Sequence, residues 1–294
     1  MSLKAKSQTM ENRARILLTC PDRPGIVAEI TSFLYRLGAN IVALDQYTTD
    51  PSGGVLFMRV EFDAPDLPNQ KKELEAAFAE IDKRFQMQWE IRYAANRKKI
   101  AIFASTADHA LLELLYQWKA GELAGDIALV ISNHEHLRSA VEPFNIPYIY
   151  IPVTPETKQD REAQELALLS EYRIDLVVLA RYMQILSTEF VRRYPNRIIN
   201  IHHSFLPAFI GARPYERAYA RGVKLIGATA HYVTEELDEG PIIEQDVERV
   251  THRADITTLK KIGRNIERIV LARSVEWHLE DRILVYGNRT IVFT

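Results

Sequence analysis

Apolar residues recur with two different periods over the first third of the chain. Alternating or continuous apolar runs predict strands over residues 15–20, 40–49, 55–62 and 87–93. Apolar residues three and four positions apart predict helices over 26–37 and 70–83, the first of which ends at Gly38. The predicted order is βαββαβ, which is the order of a ferredoxin-like domain.

A different rhythm begins after a polar, basic stretch at residues 94–99. Short apolar runs, typical of strands buried on both faces, alternate from there with segments of helical spacing. The predicted strands cover 100–104, 127–131, 148–151, 175–179, 197–202 and 226–233, and the predicted helices cover 108–120, 136–144, 158–172, 187–194 and a long stretch from 255. This alternation predicts an α/β domain with a doubly wound, mostly parallel sheet. We therefore expect two domains, over 13–94 and 98–294.

Composition excludes several classes of function. The chain has 294 residues, a net charge of -2 and a single cysteine, so nothing indicates a nucleic-acid surface, a disulfide framework or a cysteine-based zinc site. Residues 1–12 are polar and lack a signal-peptide core, and no apolar run is long enough to span a membrane, so we expect a cytoplasmic protein without a membrane partner. Neither GxGxxG nor GxxxxGK[ST] occurs, and we expect no metal and no cofactor.

Two polar clusters interrupt the apolar pattern of the larger domain. Asn200 and His202 lie two residues apart near the end of a predicted strand, so their side chains point to one face. In an open α/β sheet, ligands bind at the carboxyl ends of the strands. An amide there can hold an oxyanion, and an imidazole can move a proton.

The second cluster, residues 231–241, contains four carboxylates within five positions. Crowding of this kind is expected to raise the pKa of at least one of them. Glu235 and Glu236 are expected to be solvated, whereas Asp238, between Leu237 and a Gly-Pro pair, is the better candidate for a buried role. His231 is expected either to support this site or to be an ordinary core histidine.

Three motifs, over residues 180–187, 200–207 and 231–241, appear in an order that resembles the formyltransferase domain using 10-formyltetrahydrofolate. The resemblance covers residues 98–282 and implies a catalytic trio of Asn200, His202 and Asp238. It also implies a folate site on two loops, formed by Met183, Gln184, Ile185, Leu186, Glu236 and Leu237.

The amino-terminal third resembles an ACT domain, through the segments Asp22–Val27 and Leu37–Ile41. The resemblance implies side-by-side pairing, hence a homo-oligomer, and an amino-acid effector site at Asp22, Arg23, Gly25 and Ile26. Glycine and methionine are the effectors that we expect. Effector binding and pure dimerisation both remain open at this point, because ACT domains do both.

An ACT domain followed by a formyltransferase domain resembles the formyltetrahydrofolate deformylase family. The resemblance implies hydrolysis of 10-formyltetrahydrofolate to tetrahydrofolate and formate, which would supply formate for purine biosynthesis and balance the one-carbon pool. Residues 104–109 lack the glycines of a phosphate-binding loop and include Asp108, which favours water as acceptor. Two alternatives stay open: formyl transfer to an amine, and a catalytically inactive amino-acid sensor.

Overall fold

The computed structural model describes residues 10–208 and 213–294, which form two compact units. The first unit contains the chain up to Arg97 together with Asp281–Leu284 and Ile291–Thr294, and the second contains Lys98–Glu280 and Val285–Thr290. The carboxyl-terminal pieces of the first unit come from the range that the sequence pattern assigns to the second domain. Most of segment 1–12, on which the expected cytoplasmic location rests, lies outside the described residues.

The first unit is built on a four-stranded antiparallel sheet. Its strands are β1 (Arg13–Pro21), β2 (Asn40–Thr48), β3 (Val55–Asp63) and β4 (Gln88–Tyr93), in the order β2-β3-β1-β4. Two helices, α1 (Ile26–Arg36) and α2 (Leu67–Phe85), complete the expected βαββαβ order. Their apolar stripes bury Ile30, Phe33 and Phe78 against the sheet in one hydrophobic core.

Charged side chains in the same unit connect strands β1 and β3 to the late segment that begins at Asp281. The Arg15 guanidinium lies 3.1 Å from the Asp281 carboxylate. Arg59, which is buried, donates to the Asp281 carbonyl at 3.1 Å and pairs with Glu61 at 3.0 Å. A buried guanidinium is stable only when its donors are satisfied, so the late segment helps to complete this unit.

The second unit alternates strands and helices. Its strands are β5 (Lys98–Ala104), β6 (Gly125–Ser132), β7 (Tyr148–Tyr150), β8 (Leu176–Ala180), β9 (Ile198–His202), β10 (Leu225–Tyr232) and β11 (Ile242–Arg249). Its helices are α3 (His109–Ala120), α4 (Arg138–Val141) with the 3₁₀ turn Glu142–Phe144, α5 (Lys158–Glu171), α6 (Thr188–Arg193), α7 (Pro214–Arg221) and α8 (Ile256–Leu279). A hairpin, β12 (Ile283–Tyr286) and β13 (Arg289–Val292), divides between the two units.

The seven strands of this unit lie in the order β11-β10-β9-β8-β5-β6-β7. The five strands from β9 to β7 are parallel, whereas β10 and β11 are antiparallel additions. The expected doubly wound, mostly parallel sheet is therefore confirmed. Because β9, β8 and β5 are parallel neighbours, the loops that follow them meet at one edge of the sheet.

Helix α7 and strand β11 are absent from the sequence-based prediction. The α7 sequence, PYERAYAR, has only eight residues, which is shorter than the window in which helical periodicity is recognised, and the β11 sequence, IIEQDVER, is largely polar. Strand β11 lies at the edge of the sheet, where polar residues are tolerated.

Candidate active site

Asn200 and His202 occupy the last positions of β9, on one face of the sheet. The antiparallel register places His231 of β10 directly opposite Asn200, and Thr229 opposite His202. Paired residues on neighbouring strands point to the same face, so β10 adds a histidine beside the predicted pair. His202 and His231 are both buried, and Asn200 is half-buried.

Asp238 reaches the same face from the loop that follows β10. Its backbone is left-handed, with φ of 57°, and its carboxylate lies between the two imidazoles. One oxygen lies 3.3 Å from His202 Nδ1, and the other lies 3.7 Å from His231 Nε2. The predicted trio of Asn200, His202 and Asp238 is thus brought together around His231.

The hydrogen bonds of His231 define its tautomer. Its Nδ1 lies 3.0 Å from the Tyr232 carbonyl, which only accepts, so Nδ1 carries the hydrogen. In the neutral ring Nε2 is then an acceptor, and the Asn200 Nδ2 amide donates to it over 3.2 Å. This bond fixes the Asn200 amide with its nitrogen toward His231 and leaves its second N–H for a ligand.

His202 has the complementary arrangement. Its Nδ1 faces Asp238, while its buried Nε2 has no hydrogen-bond partner among the residues that the structure describes. A buried ring nitrogen without a partner is costly unless a ligand or water occupies the position. Nε2 therefore marks where a reacting group would bind.

Two carboxylates of the acidic loop have lowered pKa values. Hydrogen bonding to His202 holds the pKa of Asp238 well below its usual range, so Asp238 is ionised at neutral pH. The Arg192 guanidinium, 2.7 Å from Glu235, lowers the pKa of that exposed carboxyl. Crowding is outweighed at these two carboxyls, because each has a nitrogen-bearing partner; the expectation of at least one raised pKa in this loop stays a prediction.

The loop between β8 and α6 is anchored at both ends and exposed in the middle. Tyr182 donates to Glu165 at 2.9 Å, the Met183 amide donates to the Ser105 hydroxyl at 2.9 Å, and the Ser187 amide donates to Glu162 at 3.0 Å. Between these anchors Met183 and Ile185 are each 60% exposed, Gln184 is half-buried, and Leu186 packs on the core.

On the acidic loop, Leu237 is 57% exposed and Glu236 is exposed. Ligand pockets are lined mostly by apolar side chains, so the exposed apolar residues of these two loops mark a candidate ligand-binding surface.

Comparison with known proteins agrees with this arrangement. The formyl transferase family model matches residues 98–275, and the ACT domain model matches residues 14–79. The chain is 56% identical, over 96% of its length and 94% of the relative, to the formyltetrahydrofolate deformylase of Bacillus subtilis. The chain belongs to the formyltetrahydrofolate deformylase family.

Solved structures support the membership. A formyltetrahydrofolate deformylase from Pseudomonas syringae aligns with a TM-score of 0.90 and 48% identity, over 96% of this chain and 95% of that chain. A glycinamide ribonucleotide transformylase from Symbiobacterium toebii aligns with a TM-score of 0.64 and 28% identity, over 67% of this chain and 95% of that chain.

A further polar cluster of this deformylase-family chain, centred on Glu267, does not follow from the sequence pattern. The carboxylate of Glu267, on α8, lies 2.9 Å from His109 Nε2, 3.3 Å from Arg181 Nε and 2.8 Å from the Tyr215 hydroxyl. We call Glu267, His109, Arg181 and Tyr215 the Glu267 cluster. The apolar spacing of α8 predicts an inward stripe formed by Leu259, Ile262, Ile266, Ile269 and Val270. Glu267 also lies on the buried face, and the prediction is wrong for Ile269, which is 49% exposed.

His203 corrects another detail. Alternation along a strand predicts that His202 and His203 point to opposite sides. That prediction is wrong, because strand β9 ends at His202 and the two rings are 5.2 Å apart. Burial, together with the nearby Arg181 charge, lowers the pKa of His203 to about 4, so this ring is neutral at pH 7.

Within residues 10–208 and 213–294, no three His, Cys, Asp or Glu side chains form a group that could hold a metal ion.

The ACT residues lie at the turn between β1 and α1. Gly25 has φ of 97° and precedes the helix, a conformation that favours glycine, and Ile26 is buried. Arg23 lies over the Phe85 ring at 4.8 Å and donates to the Arg84 carbonyl, and the Asp22 amide donates to the Gly54 carbonyl at 2.8 Å.

In the part of the chain that is described, no helix is both long and apolar enough to cross a membrane.

Proposed function

We propose that this chain hydrolyses 10-formyltetrahydrofolate to tetrahydrofolate and formate, in the cytoplasm and without a cofactor. The observation that carries the proposal is the position of Asp238 between His202 and His231, with His202 Nε2 unpartnered among the described residues and Asn200 oriented beside it. Relatives named for this reaction match nearly the whole chain, which supports the same substrate here.

In the proposed mechanism, Asn200 uses its free amide N–H to bind the formyl oxygen as it becomes an oxyanion. His202 Nε2 removes a proton from the attacking water and then delivers it to N10, so that the C–N10 bond breaks and formate leaves. Asp238 stays ionised and stabilises the positive charge that develops on His202. A carboxyl with so low a pKa is a weak base, which favours His202 for the proton transfer.

The folate ring is proposed to bind between the two loops with exposed apolar side chains. Met183, Ile185 and Leu186 would supply apolar contacts, and backbone groups near Gln184, Glu236 and Leu237 would hydrogen-bond the ring edge. The three anchors of the 182–187 segment hold this loop in place before the substrate arrives, which reduces the entropy lost on binding.

The ACT domain is proposed to pair two copies of the chain and to bind a small amino acid, glycine or methionine. Gly25 leaves space at the start of α1, where free N–H groups favour a carboxylate. The other three residues of the proposed effector site are near neighbours of Gly25 in the chain: Asp22, Arg23 and Ile26. Isothermal titration should give saturable heat with one of the two amino acids, and absence of heat with both would leave dimerisation as the role of the domain.

The decisive experiment measures formate release from 10-formyltetrahydrofolate without added amine. Release that is lost in His202→Ala supports hydrolysis. Turnover only with an amine would favour the transferase, and amino-acid binding without either activity would favour the sensor. Exposed His252 provides the matched control, since His252→Ala should release formate like the wild type.

A further inference from the structure

The Glu267 cluster lies at the edge of the sheet that carries the candidate active site. His109 follows the loop after β5, Arg181 follows β8 directly, and His203 follows β9. These strands are neighbours in the order β9-β8-β5, so one helix residue, Glu267, connects the ends of two of them.

Ring contacts join the cluster to His202. The His203 ring lies 5.2 Å from His202 and 6.0 Å from Tyr215, and Tyr215 donates to Glu267. Only one neutral ring, His203, therefore separates the reactive imidazole from the cluster. Because His109 and Arg181 follow β5 and β8, the cluster lies on the side of His202 toward these two strands, which we call its flank.

Packing holds this flank in one arrangement. Glu267 is 1% exposed, and both of its oxygens are bonded. Burial alone would raise the pKa of Glu267, but the His109 hydrogen bond and the Arg181 charge more than offset it and lower the pKa. The Tyr215 hydroxyl packs against Gly263, where a Cβ would overlap it, so the ring has no room to move toward α8.

We propose that the Glu267 cluster determines which nucleophile accepts the formyl group, by filling the flank of His202 and leaving room for water but not for an amine. This inference rests on the proposed hydrolysis. A formyl acceptor must approach the carbon beside His202 Nε2, and an amine carries substituents that need space on one side of that carbon. Side chains that are held in place by packing and ion pairs exclude the substituents of an amine from that space more strictly than a mobile loop would.

Opening the flank should therefore turn the enzyme partly into a transferase. Glycinamide would attack the formyl carbon through its nitrogen, the C–N10 bond would break, and the proton lost by the amine would pass to N10. The products would be N-formylglycinamide and tetrahydrofolate. With water, the same steps give formate.

The test measures the ratio of N-formylglycinamide to formate by mass spectrometry, with glycinamide present and His202→Ala as the chemical background. We expect His109→Ala, Arg181→Gly and Glu267→Ala to raise the ratio on the order of tenfold to a hundredfold, the discrimination that steric contacts supply. Glycine suits position 181, where φ is 62°. The control is Lys260→Ala, which breaks an exposed ion pair with Glu216 between the same helices, α7 and α8, and should leave the ratio unchanged.

The variants differ in how much they disturb the fold. Glu267 is deeply buried, whereas the His109 side chain is 11% exposed and the Arg181 side chain 17% exposed, so the latter two variants carry the test if Glu267→Ala fails to fold. A wild-type ratio in folded His109→Ala and Arg181→Gly would overturn the proposal. If the wild type releases no formate without amine, the proposed hydrolysis itself fails; if it does and the ratios stay equal, only the role of the cluster fails.

Discussion

The Asn200 amide nitrogen donates to His231 Nε2 over 3.2 Å, across the antiparallel pair β9 and β10. The register of the two strands places these residues opposite each other. The Tyr232 carbonyl fixes the hydrogen of His231 on Nδ1 and so makes Nε2 an acceptor. His231 thereby determines which way the Asn200 amide faces.

Replacing His231 should slow the chemical step without weakening substrate binding. In His231→Ala the Asn200 amide is free to rotate, and we expect kcat to fall by less than the roughly 10²–10³ typical of losing an oxyanion donor, with KM nearly unchanged. His231→Gln, which offers a side-chain oxygen acceptor, should recover part of the rate. Steady-state kinetics check this, and an equal loss in both variants would contradict a positioning role.

Asp238→Asn should separate charge from shape, because asparagine also tolerates the left-handed backbone at this position. We expect kcat to fall strongly, since positive charge on His202 loses its counter-charge. The low native pKa of Asp238 stabilises the fold above the unfolded pKa of about 4, and this contribution is lost as the pH falls below it. The wild type should therefore be more stable than the variant at pH 7, and the difference should shrink on acidification.

Chemical denaturation at several pH values measures the Asp238 effect. Exposed Glu239, the next residue, supplies the control Glu239→Gln, for which we expect no change in kcat. A stability difference between wild type and Asp238→Asn that is the same at pH 7 and pH 3 would count against the ion pair.

Glu165, which anchors Tyr182 below the proposed folate loop, should make the fold less stable in alkali. Burial raises the pKa of Glu165 to about 7, so the native state favours the protonated form. Its contribution to stability is complete below the unfolded pKa of about 4.3 and is lost as the pH rises through 7. A shift from an ordinary value of 4.5 to about 7 corresponds to roughly 3 kcal/mol.

Glu165→Gln stays neutral, so it should be more stable than the wild type at pH 8 and similar to it at pH 4. Urea unfolding across this range provides the measurement. Glu171→Gln, at an exposed position of the same helix, should follow the wild type. Parallel pH profiles for wild type and Glu165→Gln would show that Glu165 is not the titrating group.

Gly263→Ala should destabilise the protein, although alanine favours a helix interior by about 1 kcal/mol over glycine. An added methyl group would overlap the Tyr215 ring, and the ring is held by its bond to Glu267. Thermal unfolding should give a lower Tm. Asn265→Ala, at an exposed position of the same helix, should keep or slightly raise the Tm; a raised Tm in Gly263→Ala would mean that Tyr215 relocates without cost.

The sequence predicts features that depend on local periodicity, and it misses those that depend on distant pairs. The strand with Asn200 and His202 was predictable because side chains alternate along a strand. The partnership of Asn200 with His231 requires the antiparallel register of β10, which no local pattern reveals. Glu267 could have been noticed as a carboxylate on the inward face of an amphipathic helix, but its partners, His109 and Arg181, are more than 80 positions away in the chain.

The bonds from Arg15 and Arg59 to Asp281 have a consequence for synthesis on the ribosome. Strands β1 and β3 emerge early, but Asp281, whose carbonyl accepts from the buried Arg59 guanidinium, emerges only after Lys98–Glu280 of the second unit has been translated. A nascent chain therefore holds an incomplete first unit for most of its elongation, with Arg59 lacking its late partner. We expect this unit to reach full resistance to protease only after residue 281 has left the exit tunnel.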